Sequence, residues 1–184
     1  MKIPTPDSLT EKQRIEKACA NVFLNLLNRQ FGTEYKIFKL GDSPDVNCLD
    51  SNTNLSLSLE ITLLEDITGE IAYLLGRRNK TLVSPVTGLP CTSFSDDSGP
   101  KLEQRLAEKS NIDYGPRTAL VIKQISPLWF ATDWGNYKRT MDMSILDKAK
   151  EHFEAGIWII CTNNDTWPTT DDIYALVPPK CKIK

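Results

Sequence analysis

The sequence predicts an α/β domain, a mixed central β-sheet flanked by helices. Three observations carry that expectation. The element order reads α-β-β-β-α-α-β-α-β-β, a strand meander followed by helical crossovers. Leu55, Leu57, Leu59, Ile61 and Leu63 alternate with Ser56, Ser58, Glu60 and Thr62, the period-2 pattern of a strand. TALVIKQI, at 118–125, is nearly unbroken apolar sequence, which suits the centre of a sheet covered on both faces. At 184 residues the chain is expected to form one domain over 1–184 with a sizeable core.

The elements follow in order. Thr10 to Gln13 fits a capping box, and Ile15, Ala18, Cys19, Val22, Phe23, Leu26 and Leu27 recur at helical spacing before Gly32 stops the helix. YKIFKL at 35–40 is strand-like, and Gly41, Asp42, Ser43 and Pro44 break it. Asp45 opens a short second strand, VNCLD, and the polar turn 51–54 leads into the alternating third. A shorter helix is expected over 66–80, ending in Arg77, Arg78 and Lys80, cations that suit a helix C-terminus. Residues 81–99, with Pro85, Gly88, Pro90 and Gly99, read as a long loop in which Asp96 and Asp97 are solubilising. Ser98 and Pro100 open a helix running to about Ser110. After the apolar strand come a Trp-rich connection, a helix over 144–155, and the strands IWIIC and IYALV, so that 144–178 completes a core spanning about 10–125.

Composition removes several classes of function. A 40% hydrophobic, 25% charged chain with 9 Gly and 11 Pro is neither disordered nor a low-complexity array. Cys19, Cys48, Cys91, Cys161 and Cys181 are odd in number and form no CxxC pair, so reduced thiols in a cytoplasmic setting are expected. No apolar run reaches membrane-span length, and the first residues lack the apolar stretch of a signal peptide. The only histidine, His152, reads as a surface residue, which leaves His-based triads unsupported. Neither GxGxxG nor GxxxxGK[ST] occurs, so nucleotide sites have no motif. Trp129, Trp134, Trp158 and Trp167 are read as packing residues rather than base-stacking platforms.

Charge is more informative by distribution than by total. The net charge is −2, yet residues 41–70 hold Asp42, Asp45, Asp50, Glu60, Glu65, Asp66 and Glu70 with no Lys or Arg, a local −7 that leaves +5 elsewhere. An acidic block in an otherwise basic chain suits a cation pocket beside a surface for a polyanion. Two carboxylates at adjacent strand positions converge on one hard cation, which prefers oxygen ligands. Glu60 faces away from the leucine side of its strand and is free to reach such a site.

Pro44-Asp45 at the head of one strand, a hairpin turn, then Glu60-Ile61-Thr62 on the next, preceded by a helix and followed by helix and apolar strand, resemble the PD-(D/E)xK nuclease superfamily. The resemblance spans most of residues 10–125. It implies a restriction-endonuclease-like fold with an αβββαβ core and hydrolysis of phosphodiester bonds, with DNA as the partner. It implies Mg²⁺ (or Mn²⁺) held by Asp45 and Glu60, helped by the Ile61 carbonyl, with Glu16 as the helix-borne acid some branches add. Small nuclease domains of this kind often work as dimers or within larger complexes, so the resemblance allows a homodimer or a larger complex.

The departure is Thr62, which stands where the motif lysine would be. A threonine supplies no positive charge to an attacking water. Either activity is lost or another lysine serves, with Lys109 first choice and Lys123 second. Gln104 and Arg105, on the same helix as Lys109, are expected to contact phosphate, as are Arg77 and Arg78. The competing expectation is a non-catalytic binding or interaction protein on a degenerate nuclease fold.

Overall fold

The computed structural model describes residues 9–65, 98–125, 129–163 and 170–183. The helix expected over 66–80 and nearly all of the loop 81–99 lie outside them, and with them Arg77, Arg78, Lys80, Cys91, Asp96 and Asp97. Trp167 also falls outside.

Helix α1 runs over Glu11–Phe31. Its start is the expected capping box: the Gln13 amide donates to the Thr10 hydroxyl at 3.2 Å and the Thr10 amide to Gln13 Oε1 at 3.0 Å. Gly32 ends it in the left-handed region at φ 65°, where a Cβ is disfavoured. The buried face carries Glu16, Cys19, Ala20, Phe23, Leu24 and Leu27. Ala18, expected inside, is exposed. The inward stripe is therefore turned slightly from the purely apolar one, and the turn carries Glu16 into the interior.

Strands β1 (Tyr35–Leu40), β2 (Val46–Asp50) and β3 (Ser56–Leu64) form the antiparallel meander. Helix α2 (Ser98–Lys109) precedes β4 (Thr118–Gln124), which lies parallel to β3. Helices α3 (Ala131–Tyr137) and α4 (Met143–His152) lead to β5 (Ile157–Asn163), parallel to β4, and antiparallel β6 (Thr170–Val177) closes the described sheet. The six strands lie side by side in chain order. The expected mixed sheet flanked by helices is what forms, because antiparallel neighbours take short turns and parallel ones need crossovers.

Strand parity divides two cores. Ala119 and Val121 of β4 and Trp158 and Ile160 of β5 face α1 with Leu57, Leu59 and Ile61. Leu120, Ile122, Ile157 and Ile159 face the other way, against Leu102 and Leu106 of α2, Trp134 of α3 and Leu146 and Ala149 of α4. A strand buried on both sides has no polar face to offer, hence its unbroken apolar sequence. Each such fully buried aliphatic side chain contributes on the order of 1.5–3 kcal/mol of transfer free energy.

The main departure from expectation is α3, which forms inside the Trp-rich connection. Gly135, Asn136 and Thr132 are poor helix formers and mask it in the sequence. Packing overrides propensity here: Trp134 is fully buried, donates from Nε1 to Gln124 Oε1 at 2.8 Å, and lies 4.5 Å from the Trp129 ring. Trp134, Trp158 and half-buried Trp129 thus take the packing role expected of them. His152 lies in the last turn of α4 and is partly exposed. No helix among the described residues is long and apolar enough to cross a membrane.

Candidate functional site

Asp45 and Glu60 come from neighbouring strands. Asp45 immediately precedes β2 and follows the cis Ser43-Pro44 peptide; Glu60 lies within β3. Both are buried, at 2% and 4% exposure, so neither is the solvated strand carboxylate that a lone acid on an alternating strand usually is. The Ile61 amide donates to Asp45 Oδ2 at 2.8 Å, tying the first acid to the strand that carries the second. A carboxylate held by a backbone amide has one orientation, a precondition for acting as a ligand.

Lys109, at the end of α2, reaches Glu60 Oε1 at 2.5 Å. The helix beside β3 thus delivers an ammonium group to the face where Thr62 cannot supply one. Lys123 does not fill that role: it points to the α1 side of β4 with Val121 and pairs with Asp171 at 2.7 Å. Glu16 is buried at 7% exposure, and its Oε1 lies 2.6 Å from Lys12 Nζ. The same ammonium sits 3.0 Å from Asp45 Oδ1. Three buried carboxylates, Glu16, Asp45 and Glu60, therefore share two ammonium groups.

The electrostatics follow from burial and crowding. Burial pushes the Glu60 carboxyl above its usual 4.5, Lys109 opposes that shift, and the Asp45 charge adds to it. Glu16 is raised for the same first reason, with Lys12 opposing and Asp45 adding. Among the described residues, Glu60 Oε2 and the Tyr114 hydroxyl are buried with no hydrogen-bond partner. Burial raises the pKa of Tyr114, and the charges of Glu60 and Asp45 and its side-chain contact with Glu60 raise it further. Unpartnered buried polar groups are uncommon and costly.

A cavity of about 610 Å³ opens beside the cluster, lined among others by Lys12, Glu16, Ile61, Thr62, Arg105 and Lys109. Lys12 and Lys109, which contact Asp45 and Glu60, form part of its wall. Arg105 and Gln104 of α2 are each bonded to Glu108 at 2.9 Å, and both line a second cavity of about 220 Å³ with Lys101. Among the described residues no three His, Cys, Asp or Glu side chains form a ready cage for a metal ion. In the described contacts Lys12, Lys109 and the Ile61 amide hold oxygens of Glu16, Asp45 and Glu60.

Lys12 is the residue that sequence reasoning missed. Its signal was the Lys12–Glu16 spacing, the i, i+4 geometry of a helix ion pair. These features define an α/β protein with a buried acid and lysine cluster at the edge of a cavity. Comparison with family models, curated proteins and solved structures yields no match for the chain.

Proposed function

We propose that the chain is a divalent-cation-dependent phosphodiester hydrolase acting on DNA, built on a restriction-endonuclease-like αβββαβ core. The observation that carries this reading is the placement of Asp45 and Glu60. They are buried at neighbouring strands, linked through the Ile61 amide, with a lysine from the following helix on Glu60 and one Glu60 oxygen without a partner among the described residues. A purely structural cluster of this kind is costly, since each buried ion loses several kcal/mol of hydration (roughly) and ion pairs seldom recover more than that. A site for a cation and an anion accounts for it better.

Asp45 and Glu60 would hold Mg²⁺ or Mn²⁺, with the Ile61 carbonyl and Glu16 as further oxygen donors. Such an ion would supply polarisation of a phosphoryl oxygen and a lowered pKa of bound water. Lys109 then stands where the motif lysine would, holding the attacking water or a phosphate oxygen. Arg105 and Gln104 extend the same helix face toward the nucleic-acid backbone. The substrate class is tested by incubating purified protein with single- and double-stranded DNA and RNA in Mn²⁺, with and without chelator. Cleavage of DNA that stops in chelator is expected; cleavage confined to RNA would reassign the substrate.

A second reading, a non-catalytic binding protein on the same fold, is favoured by one observation: Thr62 lines the cavity at the motif lysine position. It predicts DNA binding with no cleavage in any metal.

A further inference from the structure

Lys12 reaches the acid cluster differently from Lys109. Glu16 and Asp45 are more than nine-tenths buried, whereas the Lys12 side chain is 65% exposed. Its ammonium therefore comes in from solvent, on a flexible stem, to a pair of acids that the fold already holds in place. At 2.6 Å from Glu16 and 3.0 Å from Asp45, one cation lies between two anions.

We propose that the Lys12 ammonium is a built-in stand-in for the divalent cation, holding its place between Glu16 and Asp45 and competing with it for the two carboxylates. The inference rests on the metal-site reading above and names how that site is regulated. On metal entry Lys12 withdraws into the neighbouring cavity, whose wall it already forms with Arg105 and Lys109. Metal binding thereby turns a group that neutralises the empty site into a third cation facing an anionic substrate.

Three features support the exchange. Glu16, Asp45 and Glu60 outnumber the two ammonium groups beside them, and Glu60 Oε2 remains buried without a partner, so the cluster is under-neutralised with Lys12 in place. Replacing one positive charge by two corrects that deficit. Lys12 donates to no backbone carbonyl in the contacts described and is mostly in water, so its departure disrupts no packing. The acids keep their orientation without it: the Ile61 amide fixes Asp45, and Glu16 is set by the buried face of α1. A group anchored by its own packing and merely covered by a mobile cation is arranged for exchange, not for permanent pairing.

Calorimetric titration with Mn²⁺ at pH 7.5 tests this on wild type, Lys12→Met and Lys12→Arg. Removing the competing charge is expected to tighten Mn²⁺ binding about tenfold, the scale of a lost ion pair to two acids, and Lys12→Arg is expected to bind like wild type. Lys12→Gln, which is polar but uncharged, carries the same expectation and serves if Lys12→Met does not fold. Equal or weaker binding by the Met and Gln variants, with wild type binding normally, overturns the competition and leaves the metal site standing. No binding by wild type or any variant overturns the metal site and the competition with it.

Discussion

Glu60 of β3 and Lys109 of α2 meet at 2.5 Å although 49 residues separate them in the chain. The contact joins the sheet to the helix that covers its second face, and it sets the charge of the candidate site. Lys109 is 24% exposed on its side chain and Glu60 5%, so the acid is the more dependent partner.

Lys109→Met leaves the Glu60 carboxylate buried without its ammonium. The expected loss is about 2 kcal/mol near neutral pH, below the usual figure for a buried pair because water reaches the lysine end. The pH dependence has a definite sign. Burial already raises the folded-state pKa of Glu60 above 4.5, and losing Lys109 raises it more. The folded form then binds a proton more tightly than the unfolded chain, so the deficit is full above the raised pKa and shrinks as pH falls toward 4.5. Urea midpoints at pH 7.5 and 5 read this directly; an equal deficit at both would show that Lys109 acts through packing.

Asp45→Asn keeps an oxygen for the Ile61 amide, whereas Asp45→Ala leaves that buried N–H without an acceptor. The alanine variant is expected to lose about 1–3 kcal/mol and the asparagine variant much less. Both are expected to lose divalent-cation binding. Thermal unfolding paired with Mn²⁺ titration separates the two effects, and an asparagine variant that binds Mn²⁺ as wild type does would remove Asp45 from the ligand set.

Tyr114→Phe deletes a hydroxyl that is buried with no partner while keeping the ring stacked on Phe153, 5.4 Å away. Stability is expected to hold or to rise by about 1 kcal/mol. A clear loss in denaturant titration would mean that the hydroxyl is bonded to Glu60 in solution.

Trp134→Ala empties the centre of the second core and strips Gln124 of a 2.8 Å partner. The expected cost is about 4 kcal/mol, most of it from the cavity left behind. A shift in the urea midpoint worth under 1 kcal/mol (roughly) would show that the α3 packing collapses to fill the space.

The strand order was legible because alternation and unbroken apolar runs depend on which faces are covered, and β3 and β4 show both patterns in a few residues. Asp45, Glu60 and Lys109 were legible as a set through the motif they resemble. The burial of Glu60 was not: alternation places it opposite the leucines, and only the covering helix α2 turns that face into an interior. The burial of Glu16 was hidden similarly, by the small rotation of α1 that leaves Ala18 outside. Helix α3 escaped because its local residues disfavour helix and one buried tryptophan outweighs them. Lys12 carried only a surface-type spacing, and its second contact, to Asp45, lies 33 residues away.

Plasmid cleavage by wild-type and Glu60→Gln protein, side by side in Mn²⁺ and in chelator, bears most directly on the assignment. Wild type is expected to nick DNA in Mn²⁺ and to stop in chelator, and Glu60→Gln to be inactive at an unchanged melting temperature. Absence of nicking by wild type, or nicking that persists in Glu60→Gln or in chelator, would contradict a metal-dependent nuclease centred on Asp45 and Glu60.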